Sequence, residues 1–422
     1  MSAIEVSLQE LLASIDPGKR INIAFSGGID STVLLHAANK ICDQVKHEIR
    51  AIHINHQIHA DAPHWEKACL AYCQLINVNY LSIKVDISPY RGSGIEGAAR
   101  TARYQAFAQH LTQDDVLLMA HHADDQVETV LLQLFRGTGL HGLAGCANSR
   151  PLGQAMLFRP FMNISRQQLI EYANENKLTW LDDPSNDSMT HDRNYLRHQV
   201  MPLLYTRWQG LRETIGRASR WQMESVEILD DIASEDFGGD SHQEPLNLPA
   251  ISSLNEKRLK NLVRWWIRKN GYLVPNAEVQ QKIVRDVILS RKDCEALIQW
   301  GDCEIRKYRD NAYIQPQMPS HDPSNSYQWE LHQPLSLPSI NMTLSRNDLD
   351  KAGVLLPEIS SLSVRFRVGG EIIKPRGRGC SKDLKTLFQE AGVLPWRRNR
   401  IPLIYHNDQL IYVWGYWISE GY

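Results

Sequence analysis

The chain has 422 residues, enough for two or three domains each with its own core. Its charged and apolar fractions, 22% and 43%, are those of an ordinary globular protein, and a net charge of −2 neither requires nor excludes a nucleic-acid partner. No apolar run approaches the roughly 20 residues of a membrane helix, Met1-Ser2-Ala3-Ile4-Glu5 is no basic-then-apolar leader, and cysteines 42, 69, 73, 146, 294, 303 and 380 form no Cys-x-x-Cys pair, so a membrane protein and a paired-cysteine enzyme are disfavoured and a cytoplasmic location is expected.

Residues 5–15, with Leu8, Leu11 and Leu12, predict a short leading helix. Ile21 to Phe25 is a short β-branched run between Lys19-Arg20 and Gly27-Gly28, the pattern of a parallel strand buried on both faces. Asp30 and Ser31 then open a helix whose apolar face begins at Val33, Leu34 and Leu35. Strand, glycine turn and helix start in direct succession predict a phosphate-binding turn. A Walker A loop would carry Lys where Asp30 stands. A carboxylate there makes sense if it holds Mg²⁺ on a leaving pyrophosphate.

Strands are expected at 48–54, 80–85 and 116–119, alternating with helices at 63–75, 95–111 and 123–135. Such alternation predicts a doubly wound parallel sheet with its ligand beyond the carboxyl ends of the strands. The loops there carry His53-Ile54-Asn55-His56-Gln57-Ile58-His59 and His121-His122-Ala123-Asp124-Asp125-Gln126-Val127-Glu128-Thr129. The first lacks the Cys or carboxylate that would complete a zinc site. In the second, Asp125 and Glu128 point the same way from a helix start and can jointly grip a cation, though acids also cap helices without any function. Gly92-Ser93-Gly94-Ile95-Glu96-Gly97 matches a dinucleotide fingerprint, but Ser88-Pro89-Tyr90-Arg91 separates it from its strand, so it is read as a loop entering a helix that presents Glu96, Arg100, Arg103 and Tyr104.

Further on, Arg136-Gly137-Thr138-Gly139 ends a helix, a helix is expected at 165–175, and Arg193 and Arg197 share a helix face suited to clamp phosphate. Leu211 to Ala233 predicts a connector helix, and 234–249 a linker. Helices around Trp265-Trp266 follow, with a hairpin at 305–314 turning at Asp310-Asn311. Residues 316–338, rich in Pro, Ser and Gln, predict a second linker, and the remainder short strands with a helix at 382–391 and a hairpin turning at Asn407-Asp408. From Val364 to Tyr405 ten Lys or Arg face only Glu371, Asp383 and Glu390, the asymmetry expected of a polyanion partner.

The pattern Ser-Gly-Gly-x-Asp-Ser at 26–31 resembles the pyrophosphate loop of the ATP pyrophosphatase superfamily. Together with His53-Ile54-Asn55-His56, the string His121–Thr129, Arg136-Gly137-Thr138-Gly139-Leu140, Asp183-Pro184-Ser185-Asn186 and Arg193-Asn194, the whole chain resembles the bacterial tRNA(Ile)-lysidine synthetases. Arg367-Val368-Gly369-Gly370, Leu384–Gln389 and Pro395-Trp396-Arg397-Arg398 resemble that family's C-terminal domain. The resemblance implies an adenine nucleotide alpha hydrolase-like catalytic domain at 1–215, a helical middle domain at 216–318 and a small α+β tRNA-binding domain at 335–422. The implied reaction joins L-lysine to the 2-carbon of the wobble cytidine in the CAU anticodon of tRNA(Ile): ATP adenylates the cytidine 2-oxygen, and the lysine ε-amine displaces AMP.

On this reading Ser26, Gly27, Gly28, Ile29, Asp30 and Ser31, with His53, Arg136 and Gly137, hold ATP, and Asp30 holds Mg²⁺. Asp125 and Glu128 receive the ammonium groups of lysine, Arg100 or Arg103 its carboxylate or a phosphate, and Arg193 the charge on the α-phosphate. Arg365, Arg367, Lys382, Lys385, Arg397, Arg398 and Arg400 contact tRNA. The family leaves a homodimer open. A tRNA thiolase on the same scaffold is disfavoured by the missing Cys-x-x-Cys, a glutamine-using synthetase by Ser at position 2, and an RNA-binding protein with a vestigial pocket by the complete set of acids.

Overall fold

In the computed structural model, β1 (Arg20–Ala24), β2 (Ile49–Asn55), β3 (Asn79–Lys84), β4 (Asp115–Leu118), β5 (Ser149–Leu152) and β6 (Ala155–Phe158) form one sheet in the order β3-β2-β1-β4-β6-β5. The structure describes residues 1–45, 47–182, 189–238, 245–291, 295–356 and 359–422. Asp183-Pro184-Ser185-Asn186, Cys294 and the middle of the linker expected at 234–249 lie outside the described residues. The chain divides into two compact units, Met1–Ile228 and Leu229–Tyr422.

All strands of the sheet but β5 run parallel. Helices α1 (Ala3–Ala13), α2 (Ile29–Val45), α3 (Ala62–Leu75), α4 (Gly94–His110), α5 (Ala123–Phe135) and α6 (Arg166–Glu175) connect and cover them. Strand residues alternate between two cores, as a period of two requires. Ile21, Ile23, Val116 and Leu118 pack with α1, α2, α3 and α6, whereas Ile52, Leu117 and Leu157 pack with Phe107 of α4. From β1 the sheet grows one way through β2 and the other way through β4, which places the ligand crevice at their carboxyl ends.

The edge hairpin β5–β6 is a departure from the expected strand set. β5 pairs antiparallel with β6, and Ser149, Arg150 and Pro151 are exposed, so this edge strand shows no apolar alternation. Its turn needs Gly153, where φ is +60° and a Cβ would lie 2.7 Å from the Ala108 carbonyl oxygen. After α6 come helical turns Asp192–Tyr195, a π-helical Leu196–Val200 and Met201–Arg207, together α7, and then the long α8 (Leu211–Phe237).

In the second unit, α9 (Glu256–Lys269) buries Leu259, Leu262, Val263, Trp265, Trp266 and Ile267. Beside it β7 (Leu246–Asn247), β8 (Leu297–Trp300), β9 (Cys303–Tyr308) and β10 (Asn311–Pro316) form an antiparallel sheet in the order β7-β10-β9-β8. The β9–β10 turn falls on Arg309-Asp310, one residue before the expected place, with Arg309 at φ +55°. The second linker is corrected. Residues 327–330 are β11 (Tyr327–Glu330), and Trp329 is buried with its indole N–H donating to the Gln333 carbonyl at 2.9 Å. Pro and Ser around it conceal the alternation Tyr327-Gln328-Trp329-Glu330. β11 joins β12 (Ser361–Arg365), β13 (Leu403–His406), β14 (Gln409–Val413) and β15 (Trp417–Ile418) in one sheet, over which α10 (Leu384–Glu390) packs Leu384, Leu387 and Phe388. Asn407 and Asp408 both adopt positive φ, as the expected hairpin turn requires.

Candidate active site

Between β1 and α2 the chain turns through Ser26-Gly27-Gly28. Gly27 sits at φ +86°, and a Cβ there would lie 2.7 Å from Leu181 Cδ1 and 2.9 Å from Cys69 Sγ, so the loop accepts only glycine. Ser31 Oγ accepts the Ser26 N–H at 3.2 Å and donates to the Gly28 carbonyl at 3.0 Å. Thr32 Oγ1 and the Leu181 N–H donate to the Gly27 carbonyl at 3.2 and 2.9 Å. The first-turn amides of α2 have no partner within the helix, the arrangement that binds phosphate. Beside them Asp30 keeps Oδ1 buried with no hydrogen-bond partner among the described residues. Burial, helped by Asp125 and opposed by His122, holds its carboxyl above the usual aspartate range.

His122 caps α5 reciprocally: its Nδ1 accepts the Asp125 N–H at 3.4 Å, and Asp125 Oδ2 accepts the His122 N–H at 3.0 Å. This sets His122 Nε2 3.5 Å from Asp125 Oδ2 and 3.8 Å from Asp30 Oδ2. Asp125 and Glu128 face the same way, as their spacing predicts, and meet α7. Arg193 donates to Asp125 at 2.7 Å and to Glu128 at 2.8 Å, and Arg197 to the same two at 3.2 and 2.6 Å. Arg193 and Arg197 do share a face, but that face meets two carboxylates instead of lying open for phosphate. Burial pushes the Asp125 carboxyl up, yet His122 and the two guanidiniums outweigh it and hold it at about 2.

A cavity of about 430 Å³ opens at the carboxyl ends of β1, β2 and β4, within the range of small-molecule sites. Of the residues expected there, Ser26, Gly28, Asp30, Ser31, His53, Arg103 and Asp125 line it. Arg103 Nε is buried with no hydrogen-bond partner among the described residues, on a side chain that lines the cavity. His53 Nδ1 donates to the Phe25 carbonyl at 3.0 Å. The others stand outside the lining: Gly27 faces a smaller cavity behind the turn, Ile29 packs against the core, and Arg100 is exposed. Glu128 and Arg193 lie in the ion-pair block, and Arg136 and Gly137 are exposed at the opposite end of α5.

The sequence missed other lining residues. His56, which burial brings down to about 4, Trp65 and His121 all face the cavity. The two histidines stand in loops that follow strand ends, a usable signal; Arg159, which holds His121, carries no such signal in the sequence.

In the second unit much of the basic end is internally paired. Arg365 pairs with Asp408, Arg367 with Glu371 at 3.8 Å, and Lys382 with Glu390 at 2.7 Å. Arg398 is 9% exposed, donating Nε to the Val393 carbonyl at 2.8 Å and Nη2 to the Tyr308 hydroxyl at 3.1 Å. Arg400 likewise donates to the carbonyls of Ser339 and Pro319. Lys385 and Arg397 are exposed, with no ion-pair partner among the described residues.

A mostly parallel sheet whose switch point carries a Ser-Gly-Gly turn, with a buried carboxylate oxygen that has no hydrogen-bond partner among the described residues at the mouth of one cavity, fits an ATP-using enzyme of the PP-loop class, and residues 1–204 match the PP-loop domain. Residues 246–313 match the TilS substrate binding domain and 362–422 the TilS substrate C-terminal domain. The tRNA(Ile)-lysidine synthase of Coxiella burnetii is 36% identical, covering 98% of this chain and 93% of that protein. That of Legionella pneumophila (strain Paris) is 34% identical over 97% and 94%, and that of Methylococcus capsulatus 33% over 99% and 97%. The chain belongs to the tRNA(Ile)-lysidine synthase family of ATP-using ligases. Among the described residues no helix is long and apolar enough to cross a membrane.

Proposed function

We propose that this enzyme joins L-lysine to the 2-carbon of the wobble cytidine in the CAU anticodon of tRNA(Ile), by way of an adenylated cytidine, releasing pyrophosphate and then AMP. The supporting observation is that the phosphate turn, the unpaired Asp30 oxygen, the unpaired Arg103 Nε and Asp125 line one cavity. A thiolase reading has no support there, since no cysteine among the described residues lines that cavity. The domain division we propose is 1–215, 216–318 and 335–422, and each matched region falls within one of these.

The α2 amides with Ser26 and Ser31 fix the phosphates of ATP. The buried, partnerless Asp30 Oδ1 fits Mg²⁺, which takes one or two carboxylates plus water and phosphate oxygens. Among the described residues no cluster of three or more His, Cys, Asp or Glu offers an all-protein cage. When bound, Mg²⁺ neutralises charge on the departing pyrophosphate. Arg103 stabilises the α-phosphate or the lysine carboxylate. Asp125 and Glu128 receive the ammonium groups of lysine, and because Arg193 and Arg197 occupy both acids here, lysine replaces a guanidinium with an ammonium. Such an exchange keeps the acids neutralised and releases Arg193 toward the α-phosphate. Holding base, amine and nucleotide in one pocket supplies much of the acceleration. Asp30→Asn tests the assignment: ATP-dependent transfer of lysine to tRNA should be lost, and normal turnover would remove Asp30 from the chemistry.

A further inference from the structure

β6 lies beside β4 with Phe158 opposite Leu118, so the residues just beyond the two strand ends, Arg159 and His121, meet. Arg159 Nε donates to His121 Nδ1 at 3.2 Å. The guanidinium is itself fixed: Arg159 is 5% exposed, Nη1 donates to the Ala147 carbonyl at 2.6 Å, and its backbone N–H donates to the Asn148 carbonyl at 2.8 Å. A guanidinium can only donate, so Nδ1 is the unprotonated nitrogen of His121. The proton of the neutral ring then sits on Nε2, which has no hydrogen-bond partner among the described residues although the ring lines the cavity. A second proton is opposed by burial and by the positive charge of Arg159, Arg193 and Arg100, against the pull of Asp125, so the ring stays neutral far below the ordinary histidine range.

We propose that His121 presents a neutral Nε2–H as a hydrogen-bond donor to the nucleotide at its reacting phosphate, and that Arg159 is the positioning residue that locks this tautomer. The inference rests on the cavity being the adenylation site. The chemistry of that site favours a donor over a base. The cytidine 2-oxygen is a carbonyl oxygen with no proton to lose when it attacks phosphorus. Negative charge grows instead on the phosphoryl oxygens, where a donor fixed in advance is most effective. Nor can His121 deprotonate the lysine amine in the later step, because Nε2 already carries a proton and Nδ1 is held by Arg159.

Nitrogen-15 NMR of the wild-type protein tests the tautomer without any variant: the spectrum should show His121 protonated at Nε2 and bare at Nδ1, and the reverse pattern would overturn the proposal. For function, His121→Gln keeps an N–H near the Nε2 position whereas His121→Ala keeps none. Lysine transfer should survive within about tenfold in the glutamine variant and fall about 100-fold or more in the alanine variant. Equal, deep losses in both variants would overturn the donor role. Arg159→Met should lower kcat more than it raises KM for ATP and mix the tautomers in the NMR spectrum, and Arg159→Lys should restore part of both; an unchanged spectrum in Arg159→Met would remove the positioning role. If the wild-type protein transfers no lysine at all, the adenylation reading fails, an outcome distinct from a donor role disproved in an active enzyme.

Discussion

Asp30 combines a buried carboxylate oxygen that has no hydrogen-bond partner among the described residues with a carboxyl that burial keeps above the usual range. In the free protein burial therefore makes ionisation of Asp30 harder, whereas holding Mg²⁺ needs the ionised form. Affinity for Mg²⁺ with ATP should fall as pH drops through that raised pKa, beginning above the value of about 3.9 for an unperturbed aspartate. Calorimetric titration at several pH values should show this slope in the wild type and none in Asp30→Asn; the same slope in both would place the titration elsewhere. At Gly27 the positive φ and the close Leu181 and Cys69 side chains predict that Gly27→Ala costs about 1–3 kcal/mol and weakens ATP binding, read from the urea midpoint and a binding titration. Asp30 was legible because it stands where a Walker Lys would be. The meeting of Arg193 and Arg197 with Asp125 and Glu128 was not, since spacing reports that two residues share a face but not which face they meet.

Helix α5 carries Asp125 and Glu128, and the neighbouring Asp124 and Gln126 anchor it. Gln126 Nε2 donates to Ser219 Oγ on α8 at 2.6 Å, and its Oε1 accepts the Cys146 N–H at 2.7 Å. Asp124 accepts from the Tyr205 hydroxyl and from Arg212 Nε, both at 2.7 Å, and from the Arg166 N–H at 2.9 Å. Gln126→Leu removes the side-chain partner of the part-buried Cys146 N–H and one of the two partners of the buried Ser219 hydroxyl, a cost of about 1–3 kcal/mol. Urea unfolding should show that loss, and lysine transfer should fall as α5 loosens; an unchanged midpoint would mean the network contributes nothing. The helix itself was legible to the residue at both ends, Ala123 and Phe135, because its acids and apolar periodicity agree. Its anchors were not, since Asp124 and Gln126 look like any polar residues at a helix start. Hairpin β5–β6 and strand β11 escaped for the opposite reason, their alternation being too short or too diluted by Pro and Ser to register.

The family model matches and the full-length relatives mark tRNA as a partner of the whole molecule. We propose that contacts outside the anticodon separate tRNA(Ile) from methionine tRNAs, which also carry CAU. The basic end suggested these contacts, but burial sorts its members. Lys385→Glu and Arg397→Glu alter exposed cations and should each weaken tRNA binding and leave ATP binding unchanged. Each should also flatten the salt dependence of tRNA binding, by about one released counterion for every phosphate no longer neutralised. Arg398→Ala should instead lower stability, by about 1–3 kcal/mol, because it unties Val393 and Tyr308. The central claim is tested most directly by incubating the protein with ATP, labelled L-lysine and total bacterial tRNA. Label should enter tRNA(Ile) bearing CAU, only when ATP is present, with AMP and pyrophosphate released in step. Release of AMP and pyrophosphate without label in tRNA, or label spread over methionine tRNAs as well, would contradict it.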